Sequence, residues 1–132
     1  MKSLIFEPFT TPYIGTLKNR VSMSSMTRGF AKNHHCTDLI AEYYGKRAQD
    51  GVALIVTEGI VIHPSGDGYN NVPHMRTQSH ANSWKKAVKN VQEHGSKFFC
   101  QLWHCGRISH EDYTLGEQPV SSSNKQASGI NR

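Results

Sequence analysis

The spacing of apolar and polar positions shifts repeatedly along the chain, and each shift predicts an element. After an opening punctuated by Pro8, Pro12 and Gly15, Val21-Ser22-Met23-Ser24 reads as a short strand, preceded by a hairpin. From Thr37, an N-cap residue, Leu39, Ile40, Tyr43, Tyr44 and Ala48 recur at helical spacing until Gly51 stops them. Val52-Ala53-Leu54-Ile55-Val56 is a continuous apolar run rich in β-branched residues, the pattern of a strand covered on both faces in a parallel sheet. A second helix is predicted over Ser79–His94, with Ala81, Trp84, Val88 and Val91 on one side and Gly95 at its end. Lys97-Phe98-Phe99-Cys100-Gln101-Leu102-Trp103 then reads as a further strand, so the order is β-α-β-α-β and the class is α/β.

The connections are unequal. Helix-to-strand links are one or two residues around Gly51 and Gly95-Ser96, whereas strand-to-helix links run to roughly twelve and twenty residues, beyond the ~2–6 typical of such links. Long loops leaving the carboxyl ends of parallel strands are where both barrels and open α/β sheets carry their sites, and the functional face is expected there. From Gly116 the sequence turns polar and runs to Asn131-Arg132 without a further closing element.

Composition narrows the classes. With 132 residues, 36% hydrophobic and 19% charged, the chain is an ordinary globular sequence, yet a closed (β/α)8 barrel needs roughly 250 residues, so any barrel here is part of one. No apolar run approaches the ~18 residues of a membrane span, and Glu7 interrupts the N-terminal apolar stretch, so no secretory core is expected. Cys36, Cys100 and Cys105 are odd in number and lack a framework spacing, so free thiols and a cytoplasmic setting are expected. The net charge of +5 includes Lys85, Lys86 and Lys89 around Trp84 and Val88, the solvated face of an amphipathic helix. Nucleic-acid binding is not expected, because no aromatic-basic interleaving accompanies these charges.

Period-two geometry sends Phe99, Gln101 and Trp103 to one face of the last strand and Cys100, Leu102 and His104 to the other. A glutamine amide offers a donor and an acceptor in one plane, matching either the carbonyl and N–H edge of a pyrimidine-like ring or a neighbouring loop, and Trp103 adds an apolar wall. Thr27 can aim a hydroxyl into the same mouth, and Glu58-Gly59 closes the middle strand with a residue that permits close backbone approach. Taken singly, Thr27 is as well read as a loop cap and Gly59 as a tight turn. Gly66-Asp67-Gly68 lacks the third glycine, the preceding strand and the following helix of a dinucleotide loop. His34-His35-Cys36 and Cys100, His104, Cys105 and His110 lack paired metal-ligand spacing, so no metal is expected. Nor is there a base-nucleophile-orienter set for covalent hydrolysis.

Leu17-Lys18-Asn19-Arg20-Val21, Met26-Thr27-Arg28, Glu42-Tyr43-Tyr44, Thr57-Glu58-Gly59, Gly66-x-Gly68-Tyr69, Trp84-Lys85-Lys86 and Gln101-Leu102-Trp103-His104-Cys105-Gly106-Arg107-Ile108-Ser109-His110 stand in an order and spacing that resembles the old yellow enzyme group of FMN-dependent ene-reductases, the NADH:flavin oxidoreductase family. The resemblance covers nearly the whole chain. It implies the N-terminal part of a (β/α)8 barrel with an N-terminal hairpin, residues 1–132 supplying the hairpin, three strands, two helices and the loop that follows. It implies FMN as cofactor, NADPH or NADH as reductant, and hydride transfer to an activated alkene or nitro compound. Thr27 and Gln101 then correspond to residues that bond the flavin's pyrimidine side. Met26 belongs to the same shell, Ser25 stands where the family usually has proline, and Gly59 where alanine or glycine lies against the flavin. Tyr69 and Trp103 correspond to the substrate side of the pocket. The family's substrate-gripping His pair, tyrosine proton donor and phosphate site are expected beyond Arg132, so no catalytic residue is assigned here. A fragment inactive alone is one expectation. The other is a non-catalytic remnant or split-barrel subunit that self-associates or pairs with a complementing C-terminal segment, because its outer strands would leave unpaired edges.

Overall fold

In the computed structural model, which describes residues 3–128, a 3-10 turn at Leu4–Phe6 leads into a hairpin of β1 (Phe9–Thr11) and β2 (Gly15–Leu17). The strands pair antiparallel with Thr10 opposite Thr16, whose Oγ1 atoms lie 2.9 Å apart. There follow β3 (Ser22–Met23), α1 (Asp38–Gln49), β4 (Leu54–Val61), α2 (Gln78–Ser83), α3 (Lys85–Gln92) and β5 (Lys97–Trp103). β3, β4 and β5 form a parallel sheet with β4 at its centre. The expected ending at Asn131-Arg132 lies outside the described residues. No helix among the described residues is long and apolar enough to cross a membrane.

The helices cover one face of this sheet. Ile40, Tyr44 and Ala48, one turn apart on α1, meet Trp84, Ala87 and Val91 over Ile55 and Ile60 of β4, and all eight are buried. α1 and α3 approach closely because position 45 is glycine: a Cβ there would lie 3.1 Å from Asn90 Cβ. Lys85, Lys86 and Lys89 face solvent as the pattern predicted, and Lys86 Nζ bonds Asp38 at 2.8 Å across the two helices.

Several boundaries move for identifiable reasons. Thr37 does cap α1, its Oγ1 accepting the Ile40 N–H. The predicted start of the central strand at Val52 is too early, because Val52 N–H still bonds the Arg47 carbonyl at the helix end. Its predicted end at Val56 is too short, since β4 continues to Val61 and Glu58-Gly59 lie within it rather than closing it. The helix expected over 79–94 begins at Gln78 behind an N-cap at Thr77 and is interrupted at Trp84. There Ser83 Oγ donates back to the His80 carbonyl at 2.6 Å and accepts the Cys36 N–H at 3.0 Å, a side-chain bond of the kind that bends helices.

The segment Leu17-Lys18-Asn19-Arg20-Val21 pins the hairpin to the amino ends of the strands. Lys18 Nζ donates to the Ala48 carbonyl at 3.1 Å and the His94 carbonyl at 2.8 Å, placing one positive charge at the carboxyl ends of both helical segments. Asn19 Nδ2 donates to the Gly51 carbonyl at 2.6 Å while its Oδ1 accepts the Val21 N–H at 2.9 Å. Lys18→Met keeps the aliphatic stem and removes both charged bonds, so it is expected to cost about 1–2 kcal/mol in urea unfolding. An unchanged midpoint would show that these bonds contribute nothing beyond solvation.

Candidate functional site

The candidate site lies at the carboxyl end of the sheet, opposite the hairpin, where residues 24–37 and 62–77 form the long connections. Its geometry is set by an irregularity in β4. Val56 pairs with Phe99, but the next aligned pair is Gly59 with Gln101, so β4 holds one extra residue at Thr57–Glu58. Ile55 and Ile60 both reach the helix-covered core although they stand five positions apart, an odd offset that an uninterrupted strand would send to opposite faces. The bulge shifts the phase. As a result Gly59 and Val61 share the helix-free face with their partners Gln101 and Trp103.

A bulge orphans backbone groups, and here side chains take them. Glu58 N–H donates to Tyr44 Oη at 2.7 Å, and Gln101 N–H donates to Thr57 Oγ1 at 3.0 Å. The Glu58 carboxylate is fully buried and its Oε2 accepts the Arg28 N–H at 3.0 Å. Burial pushes this carboxyl above its ordinary value, and the backbone N–H groups of Arg28 and Gly29 only partly oppose the shift. Arg28 in turn donates from Nη1 to Tyr43 Oη at 2.7 Å. Glu58 is therefore the tether that draws the loop after β3 onto β4, and sequence reasoning assigned it no such role. An acid within an apolar run, followed by glycine, was the available signal.

Of the residues singled out from sequence, Gly59, Trp103 and Tyr69 meet directly. The Tyr69 and Trp103 rings lie 5.0 Å apart, and a Cβ at Gly59 would fall 2.4 Å from Trp103 Cε3. Gly59 is thus required to seat the indole. Gln101 lies beside Gly59 with its side chain exposed. Ser25 is half-buried and Met26 and Thr27 are exposed, all three brought to the same end of the sheet by the Arg28–Glu58 bond. No hydrogen bond joins Thr27 to Gln101 among the described residues. Gly66 and Gly68 prove to be packing positions: Cβ atoms there would lie 2.6 Å from His104 Cδ2 and 2.8 Å from Cys105 Sγ. Cys36 and Cys100 are free thiols, burial raising Cys36 to about 12 and Cys100 upward as well.

A profile of the NADH:flavin oxidoreductase / NADH oxidase family matches residues 4–131. The chain belongs to this family. It is similar to 12-oxophytodienoate reductase 7 of Oryza sativa subsp. japonica, with 40% identity over 125 residues covering 94% of this chain and 31% of that protein. Among solved structures it is similar to the old yellow enzyme homologue from Zymomonas mobilis, with a TM-score of 0.87, 34% identity, and coverage of 98% of this chain and 36% of that one. Morphinone reductase, solved in complex with tetrahydroNAD, superposes with a TM-score of 0.88 at 36% identity, covering 97% and 35%. The chain spans about a third of the length of these relatives. Its fold is part of the (β/α)8 barrel of the family, unclosed among the described residues.

Two outcomes follow for this family member. Gly59→Ala is expected to drive the indole off Tyr69, at a cost of about 1–3 kcal/mol, and to shift tryptophan emission toward that of an exposed indole. Glu58 is harder to ionise in the folded chain than in the unfolded one, so its stability contribution is present below the ordinary value of 4.5 and declines as pH rises through the raised native value. Glu58→Gln removes that decline. Urea midpoints measured against pH should flatten in this window, and an unchanged slope would assign the pH dependence to another group.

Proposed function

We propose that this chain contributes the first strands of the barrel of an FMN-dependent NAD(P)H oxidoreductase of the ene-reductase type, acting on α,β-unsaturated carbonyl or nitro compounds. The observation that carries it is the helix-free face on which Gln101 stands beside a buried glycine, with the Tyr69–Trp103 pair next to them. The donor set suits the cofactor. An exposed amide and a hydroxyl can serve the carbonyl and N–H pattern of the isoalloxazine's pyrimidine ring, and paired aromatics can form an apolar wall beside it. FMN, when bound, supplies hydride taken from NADPH or NADH to the activated double bond.

In this proposal Gln101 Nε2 donates to, and Oε1 accepts from, the heterocycle edge, and Thr27 adds a hydroxyl from the tethered loop. Donors so placed favour negative charge on the reduced ring. Ser25 and Met26 supply backbone to the same shell, and Gly59 leaves the floor low. Tyr69 and Trp103 exclude water from the face where substrate would lie. The phosphate anchor, the pair that grips the substrate carbonyl and the proton donor belong to the part of the barrel that the relatives carry beyond this span. Free cysteines suit a cytoplasmic setting.

A second reading of another class has its own support, namely a non-catalytic remnant or split-barrel subunit held by a partner. β3 and β5 are both edges of the sheet, while Phe99 is 42% and Leu102 64% exposed. One experiment addresses both. The chain is mixed with the separately expressed remaining two thirds of the Zymomonas mobilis homologue, and flavin absorbance and NADPH-dependent enone reduction are followed. The chain alone is expected to hold no stoichiometric FMN, and the mixture to gain both signals. Gln101→Leu should then weaken flavin retention roughly tenfold to a hundredfold, the effect of losing a paired amide. A complex without flavin favours the remnant, and flavin retention indifferent to Gln101→Leu refutes the site.

A further inference from the structure

Outside that face, where the loops after β3 and β4 meet, lies a cluster that the flavin site does not use. His74 is 1% exposed, and its Nε2 stands 3.0 Å from Asp67 Oδ2. Among the described residues neither ring nitrogen of His74 makes a hydrogen bond, the Asp67 contact being one of distance alone, and neither does the buried Nδ1 of His34. One ligand atom from each of His34, Asp67 and His74 can be chosen so that all lie within 4.8 Å of one another. We propose that His34, Asp67 and His74 bind a divalent transition-metal ion, Zn2+ first among them, with the remaining coordination positions open to solvent.

The donor chemistry is that of two imidazoles and a carboxylate, a set suited to zinc and to other divalent first-row metals when further positions are left for water. Buried orphan nitrogens are costly unless something occupies them, and a single contact with Asp67 cannot satisfy both nitrogens of His74. The backbone that carries two of the ligands is tied together without an ion, although the His34 ring is not yet turned to coordinate. His74 N–H donates to the His34 carbonyl at 2.9 Å, and His74 also bridges to Val61 at the end of β4. Asp67 Oδ1 is held by the Gly68 N–H at 2.8 Å, leaving Oδ2 for the ion, and the Asp67 carbonyl takes the Ser109 hydroxyl. All three residues line a cavity of about 390 Å³, with Asn71 and Arg76 also in its wall, which gives room for an ion and its waters.

The rings of His34 and His74 stack with centroids 3.7 Å apart and planes 20° from parallel. Imidazole lone pairs lie in the ring plane, so shared coordination requires His34, the half-buried member, to turn out of the stack toward the cavity while His74 stays fixed. An ion seated between His74 Nε2 and Asp67 Oδ2, which lie 3.0 Å apart, would take a lone pair from each. The consequence is mechanical. The ion would clamp the loop after β3 to the loop after β4, with Tyr69 two residues from a ligand.

The test uses the whole chain, stripped with EDTA and then titrated with CoCl2 and, separately, ZnCl2. The expected result is a visible Co2+ absorption that saturates at one equivalent and is displaced by Zn2+. Zn2+ at a hundred times its Kd should raise the thermal midpoint by about 10 °C. His34→Ala and Asp67→Asn should each abolish the saturating equivalent, whereas His110→Ala, at the exposed His110–Asp112 pair, should leave it intact. A folded wild-type chain that yields no saturable Co2+ spectrum overturns the proposal, as does an equivalent that survives both substitutions. The wild-type titration decides even where a variant fails to fold.

Discussion

A strand's side chains alternate without exception unless a residue is inserted, and the site rests on one insertion. Continued without its bulge, β4 would turn Gly59 toward the helices and Ile60 toward the mouth, destroying the core and the site together. The irregularity costs two regular ladder contacts, and two hydroxyls offset them. Tyr44 Oη, on a fully buried side chain whose ionisation burial suppresses, takes the Glu58 N–H, while Thr57 Oγ1 takes that of Gln101. The helix that covers the sheet is thus also the element that stabilises its distortion.

The two ends of the sheet divide the labour. At the amino end, Lys18 and Asn19 fasten the hairpin to the carbonyls that end the helices, and links are short. At the carboxyl end the chain leaves the sheet in long segments whose shape depends on a few buried polar groups: Glu58 for the loop after β3, and Asp67 with His74 for the loop after β4. These two carboxyls are perturbed in opposite senses. Burial dominates at Glu58 and raises it, whereas at Asp67 burial also raises it but contact with His74 and the Gly68 and Tyr69 N–H groups lower it further. Two buried carboxyls are thus shifted in opposite directions, because Asp67 has an imidazole beside it and Glu58 accepts from backbone N–H groups.

Legibility in the sequence followed how local each cause was. The Thr37 cap, the apolar stripe of α1 and the whole of β5 depend on neighbours a few positions away, and their periodicities displayed them. The continuation of β4 did not show, because Thr57-Glu58-Gly59 has the composition of a strand ending and owes its place in the ladder to Tyr44, thirteen residues before Thr57. Trp84 likewise fits the helical stripe, and what breaks the helix beside it is Ser83 bonding to Cys36 from another loop. His34, Asp67 and His74 are the extreme case. Ligand-spacing rules describe donors on one turn or one knuckle, and donors assembled from separate loops leave no interval to detect.

The uncovered face follows from the same logic. Parallel sheets are stable when both faces are covered, since their strands carry apolar residues on each side. Here the helices cover one face, and the other presents Phe99, Gln101 and Trp103 along one strand, an apolar surface interrupted by a single amide. An amide placed there is unfavourable in a plain hydrophobic interface, where it would need a partner from the opposing layer. It becomes favourable opposite a partner carrying its own donor and acceptor, whether a loop or a heterocycle edge. The residue that spoils this face as a packing surface is therefore the one on which the proposed binding surface depends.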